Sequence, residues 1–150
     1  MNPVIATIIA GIVGTAGMSL VLWAITRSGI ANASMIRAIG SIFTGSDDNS
    51  FRAGLIAHFI AGILIAFVYT LLISLFSPVS IAGAIGAGAM IGVFHGVAFG
   101  FILVVAVAEH HPLEQFRDAG LQVALAHFAG HVVYGILVGT VIGITGARFF

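Results

Sequence analysis

Two histidines, His127 and His131, lie four residues apart in an otherwise apolar stretch near the end of the chain. Residues at positions i and i+4 share one face of a helix, so both imidazoles can bind the same ligand. Imidazole suits Zn, Cu, Fe and Ni, and it is also an axial ligand of haem iron. Two further histidines, His58 and His95, lie in other apolar stretches. The pattern therefore predicts a ligand site built from histidines on apolar helices.

The first hypothesis is a transition-metal site that holds Fe, Cu or Zn. The i, i+4 histidines are its primary ligands, and side chains from neighbouring stretches complete the coordination shell. Such a site serves a redox, storage or sensing role. The predicted ligands are His127, His131, His58, His95, Glu109 and His110.

The second hypothesis is haem b, with His58 and His127 as the axial ligands. Glycines near both residues leave room for a flat macrocycle. Both tyrosines of the chain, Tyr69 and Tyr134, lie at helical spacing from these histidines. In either hypothesis we expect the two tyrosines to be hydrogen-bond partners that orient the ligands.

Two other interpretations of the histidines stay open. If they only form hydrogen bonds between helices, the chain is a non-enzymatic accessory or scaffold subunit whose glycine faces dock other helices. If they relay protons, the chain forms a proton or small-solute pathway. The acidic residues all lie in the connections between apolar stretches, away from Ser19 and Ser74. Hydrolytic chemistry therefore has weak support, and a non-enzyme is favoured.

The composition indicates that these histidines lie within a membrane. Apolar residues make up 60% of the chain and charged residues only 7%, whereas a soluble domain carries about 25% charged residues. Four apolar stretches are long enough to cross a hydrocarbon core about 30 Å thick, and they must be helical because lipid offers no hydrogen bonds. We predict an all-α, four-transmembrane-helix bundle, a single domain over 1–150, with spans at 4–25, 53–76, 81–108 and 119–146.

The connections indicate the orientation. The first contains apolar residues at helical spacing over 34–43, which predicts an amphipathic helix in the membrane interface. The third, 109–118, is charged and is typical of a solvated loop. These two connections hold four of the five positively charged side chains. The positive-inside rule therefore predicts cytoplasmic charged connections and both termini outside, in a prokaryotic inner membrane.

The chain also contains an internal similarity. "FRAGLIAHF" at 51–59 matches "FRDAGLQVALAHF" at 116–128, with four residues inserted in the second copy. Four residues make about one helical turn, so the histidine face is preserved. The similarity predicts a pseudo-two-fold repeat of a two-helix hairpin, in which His58 and His127 occupy equivalent positions.

Three short segments carry a resemblance: "GIVGT" at 11–15, "AHF" at 57–59 and "HVVYG" at 131–135. With them the chain resembles small four-helix integral membrane proteins of prokaryotes that form a domain of unknown function. The resemblance runs over most of the chain and implies the four-helix fold, but it implies no activity. The expected partners are the lipid bilayer and, through glycine-rich helix faces, a second copy or a membrane complex. Nucleic acid is excluded because there is no basic patch.

Overall fold

The computed structural model of the protein describes the backbone of residues 1–150 and every side chain except that of Leu103. Helices are the regular elements of the described chain, and no strand occurs in it. In order they are α1 (Pro3–Arg27), α2 (Met35–Thr44), α3 (Ser50–Phe76), α4 (Ile81–His95), a π-helical segment (Gly96–Leu103), α5 (Val104–Glu109), a 3-10 turn (Glu114–Phe116) and α6 (Leu121–Thr145).

Four helices are long and apolar enough to cross a membrane. They are α1, α3, α6 and the continuous helix from Ile81 to Glu109, with mean hydropathies of 2.1, 2.6, 1.7 and 2.4. The all-α fold and the four candidate spans predicted from the sequence are confirmed, with ends that differ by a few residues. Large apolar side chains such as Leu20, Leu64 and Ile144 are exposed on these helices, as expected for surfaces that contact lipid.

α6 is the central helix of the bundle, since it packs along both α1 and α4. The α4–α6 contact is made by backbone, because glycines face each other across it. A Cβ atom on Gly88 would collide with the carbonyl oxygen of Gly135, and one on Gly139 would collide with that of Ala84. Small residues allow this close approach in lipid, where van der Waals contact drives helix association.

α1 packs against α3 in a similar way. A Cβ atom on Gly11 would lie 2.7 Å from the Cα of Ile63. The two helices are also joined by a buried hydrogen bond between the hydroxyls of Thr7 and Thr70, which are 3.1 Å apart. Together these contacts hold α1 and α3 side by side, and α1 packs in turn along α6.

The amphipathic helix predicted over 34–43 is α2, which crosses the first turns of α3. The crossing point is again glycine: a Cβ atom on Gly40 would collide with the carbonyl of Ser50. On its other side α2 exposes Ile42 and Phe43, which are 49% and 72% exposed. This arrangement suits a helix at the boundary between headgroups and acyl chains.

Gly88→Ala is expected to lower the free energy of unfolding by about 1–3 kcal/mol, because the added methyl group overpacks the α4–α6 contact. Thermal unfolding of the detergent-purified protein measures the change. The matched control is Gly86→Ala in the same helix, where an added Cβ meets no atom within 4 Å. The control should be unchanged or slightly stabilised, since alanine favours a helix over glycine by about 1 kcal/mol. Equal destabilisation by both substitutions would contradict the close contact.

Candidate functional site

A cavity of about 280 Å³ lies between α2, the helix that follows His95, the third connection and the first turns of α6. Its walls are mainly apolar and include Met35, Phe99, Val107 and Phe116. The volume is just below the range of about 300–1,000 Å³ that is typical of sites for drug-sized ligands. The cavity therefore suits a single ring with substituents better than a macrocycle.

The two histidines of α6 line this cavity and are themselves almost buried. Nδ1 of His127 donates a hydrogen bond to the carbonyl of Val123 over 2.8 Å. Nδ1 of His131 donates in the same way to the carbonyl of His127 over 2.7 Å. A carbonyl oxygen only accepts hydrogen bonds, so the proton of each neutral ring is on Nδ1. Each Nε2 atom therefore carries a lone pair.

The residues that carry these Nε2 atoms both line the cavity. Within the part of the chain that the structure describes, the hydrogen bonds of both rings are made by Nδ1. Among the described side chains, Nε2 of His58 is the one nitrogen or oxygen that is both fully enclosed and without a hydrogen-bond partner. The Nε2 atoms of His127 and His131 also have no partner there, so neither of them is fully enclosed. Two acceptors, one helical turn apart, thus belong to side chains that line a mainly apolar cavity.

His58 of α3 is also buried. Its side chain is 7% exposed, and its Nε2 atom is enclosed without a hydrogen-bond partner among the described residues. It does not line the cavity. A buried polar atom without a hydrogen bond costs about 1–3 kcal/mol. This orphaned nitrogen of α3 is therefore a second position where a polar group would be stabilised.

His95 connects the same region to the tyrosines. Its ring lies 4.4 Å, centroid to centroid, from that of His131, and the two planes are inclined by 74°. Nδ1 of His95 is 3.0 Å from the hydroxyl of Tyr69, with which it shares a hydrogen bond. The hydroxyl of Tyr134 instead donates to the carbonyl of Gly62 over 2.6 Å. Only one of the two tyrosines is therefore the histidine partner that the sequence predicts.

The structure does not bring the six predicted metal ligands to one point. Among the described residues, no group of three or more His, Asp or Glu side chains is placed to hold a metal ion. Glu109 and His110 are exposed and do not line the cavity. His127 and His131 share the cavity, while His58 and His95 lie beside it. The metal and haem assignments stay predictions.

The chain matches a family of unknown function (DUF6789) over residues 1–148. It belongs to this family. The resemblance to a domain of unknown function is thereby confirmed. No curated protein and no solved structure matches the chain. The function of this DUF6789 protein has to be inferred from its site.

One site residue of this DUF6789 chain, His111, lies in the third connection, where the sequence predicts a solvated loop. Its side chain is 3% exposed and lines the cavity. Nε2 of His111 lies 3.0 Å from the carbonyl of Ala38 in α2, and Nε of Arg117 donates to the carbonyl of His111 over 2.6 Å. The third connection is thereby fixed against α2. In the sequence His111 is one of two histidines that precede Pro112. This local pattern does not reveal a contact with Ala38, which lies far away in the chain.

Polar bonds also hold the rim of the cavity. The carboxylate of Asp47 accepts hydrogen bonds from Arg37 of α2 and from Gln115 of the third connection, both over 3.2 Å. The side chain of Asn32 donates to the carbonyl of Gln115 over 3.4 Å. These bonds are exposed, so each contributes little stability. They join the two connections whose apolar side chains enclose the cavity.

Tyr134→Phe is expected to lower the free energy of unfolding by about 0.6–1.7 kcal/mol, because it removes a hydrogen bond between α6 and α3. Thermal unfolding in detergent measures the loss. The control is Thr140→Val in the same helix, whose hydroxyl bonds within α6 to the carbonyl of Ile136. The control should leave the midpoint nearly unchanged. A Tyr134→Phe variant as stable as the natural protein would argue against the interhelical bond.

Proposed function

We propose that this chain is an integral membrane protein that binds a small lipid-phase molecule in the cavity beside α2. The observation that carries the proposal is the pair of lone-pair-bearing Nε2 atoms of His127 and His131, which line an apolar cavity. A buried acceptor gains most from a ligand that donates a hydrogen bond to it. The molecule expected there has an apolar body and hydrogen-bond donors.

Entry from the lipid phase is supported by the exposure of the cavity walls. Ile42 of α2, Phe99 of the π-helical segment and Val107 of α5 all line the cavity and remain 49%, 44% and 42% exposed. In a protein with four membrane-spanning helices, exposed apolar side chains of this kind face acyl chains. The ligand therefore reaches the histidines along the membrane plane.

The test is retention of a small molecule by the full chain, purified from its membranes with little delipidation. Denaturation should release about one such molecule per chain, identified by mass spectrometry. His127→Phe keeps a ring but removes the acceptor, and should retain at most about a tenth as much, since 1.4 kcal/mol is a tenfold change in affinity. The matched control, His110→Phe, changes an exposed histidine outside the cavity and should retain the full amount. Equal retention by all three proteins would refute the proposal.

A metal ion or haem is the second candidate. A histidine whose Nδ1 is bonded to a carbonyl and whose Nε2 is free is in the state that metal-binding histidines adopt. His127 and His131 would supply two ligands to Fe, Cu or Zn, and haem b would use His58 and His127. Near-stoichiometric metal in the purified protein that is lost in His127→Phe would favour this candidate. A visible absorption spectrum distinguishes haem iron from other bound metals. If the purified protein holds neither a small molecule nor a metal, the result would favour a scaffold subunit or a proton pathway.

For the membrane arrangement we propose the orientation predicted from the charges. The connections around α2 and after α5 face the cytoplasm of a prokaryotic cell, and both termini face outward. The pseudo-two-fold repeat, the single domain over 1–150 and assembly with a second copy or a membrane complex belong to the same proposal. The internal sequence similarity supports the repeat, and the glycine-rich helix faces support the assembly.

Cysteine labelling tests the orientation, because the chain has no cysteine of its own. Val79→Cys lies in the turn between α3 and α4, where the natural side chain is fully exposed. Asp48→Cys lies in the first connection and is also exposed. In intact cells a membrane-impermeant maleimide should label Val79→Cys and spare Asp48→Cys until the cells are broken. The opposite labelling pattern would invert the proposed orientation.

A further inference from the structure

We infer that the ligand of this cavity is a hydroxylated aromatic ring with an apolar tail, of the hydroquinone class, and that the site binds the reduced form in preference to the quinone. The inference rests on the proposed binding function and adds the chemical class of the ligand. It is carried by the fixed tautomers of two histidines, by the aromatic walls of the cavity and by the charge of its lining.

The tautomers decide which form of the ring fits. A hydroquinone has two hydroxyls that donate hydrogen bonds, whereas a quinone has carbonyl oxygens that only accept. His127 and His131 present acceptors. For Nε2 of either ring to donate, the proton would have to move from Nδ1 to Nε2. The lone pair of Nδ1 would then face the carbonyl oxygen to which Nδ1 now donates, at 2.8 Å for His127 and 2.7 Å for His131. The carbonyl oxygens of a quinone would therefore face the Nε2 acceptors without a hydrogen bond. The hydroxyls of a hydroquinone would donate to these Nε2 atoms.

The i, i+4 spacing of His127 and His131 is compatible with one ring. Side chains at i and i+4 of a helix have Cβ atoms about 5–6 Å apart. This separation is comparable with that of two hydroxyls on opposite sides of a six-membered ring. One dihydroxy ring can therefore reach both histidines, and the cavity of about 280 Å³ holds a ring of this size.

The cavity walls favour an aromatic ring. Phe99 lies on one side, with its ring edge-to-face against His95 at 4.8 Å. Phe116 lies on another side, with its ring 4.9 Å from that of His111. Both phenylalanines line the cavity, and aromatic pairs gain from offset or edge-to-face contact beyond the area they bury.

The charge of the lining argues against an anionic headgroup. Among the described residues that line the cavity, the ionisable side chains are three histidines and Asp118, and no arginine is present. An anionic phosphate or carboxylate would therefore meet a carboxylate and two acceptors without a countercharge. A neutral ring whose tail extends past α2 into the lipid avoids this repulsion.

The experiment compares three probes by isothermal titration calorimetry on the full chain in detergent under anaerobic conditions. They are decylhydroquinone, its dimethyl ether and the corresponding decylquinone. The ether has the same ring and tail without donors, and the quinone has acceptors only. We expect the hydroquinone to bind at least about tenfold more tightly than either, which corresponds to 1.4 kcal/mol.

Two variants show whether a difference in affinity comes from the histidine, from partition of the probes into detergent or from misfolding. His127→Phe should weaken hydroquinone binding about tenfold and leave the ether unchanged, so its ether affinity also shows that the cavity is intact. His110→Phe should match the natural protein with every probe. For each protein we divide the affinity for the hydroquinone by the affinity for the ether. Differences in probe solubility affect this ratio equally in the natural protein and in the variants, so they cancel when the ratios are compared.

Each contrary outcome has a distinct meaning. Equal affinity for the hydroquinone and the ether, or tighter binding of the quinone, overturns the inference and leaves the proposed binding function standing. No binding of any probe, in a protein that retains another small molecule through purification, overturns only the hydroquinone class. No binding and no retained molecule overturns both.

Discussion

The close backbone contact between α4 and α6 is the constraint on which the rest of the structure depends. Glycine at positions 88, 135 and 139 lets the two helices approach until carbonyl oxygens of one lie against Cα atoms of the other. His127 and His131 lie on the face of α6 that borders the cavity, which α2 and the third connection also line. The cavity is the space left between that face and α2.

A second constraint follows from helical geometry itself. A histidine in a helix can donate from Nδ1 to the carbonyl four residues earlier, and both cavity histidines do so. The backbone thereby sets the protonation pattern of two side chains without any other residue. In an apolar environment such a bond is not exchanged for water, so the acceptor character of the site is a property of the helix. No carboxylate beside either imidazole is needed to fix its tautomer.

The long helices and α2 could be predicted from sequence because each follows from a local rule: apolar length for the spans, amphipathic spacing for α2. The arrangement of side chains could not. Helices that are apolar on all sides carry no pattern that fixes their rotation, so position along the chain does not show which face His58, His95 or His131 occupies. The burial of His111 could not be predicted either, because it depends on contact with Ala38 of α2, which lies 73 residues earlier in the chain.

The π-helical segment over Gly96–Leu103 has a consequence for how such a cavity can arise. Its wider winding shifts α5 around the helix axis relative to an uninterrupted α-helix. If the same residues wound as an α-helix, with their number unchanged, α5 would turn to another direction around the helix axis. Val107 and Ala108, which line the cavity, would then point elsewhere, while the glycine contact of α4 with α6 would be untouched. The π-helical winding is therefore what directs these two side chains into the cavity wall, independently of the contacts that hold the bundle together.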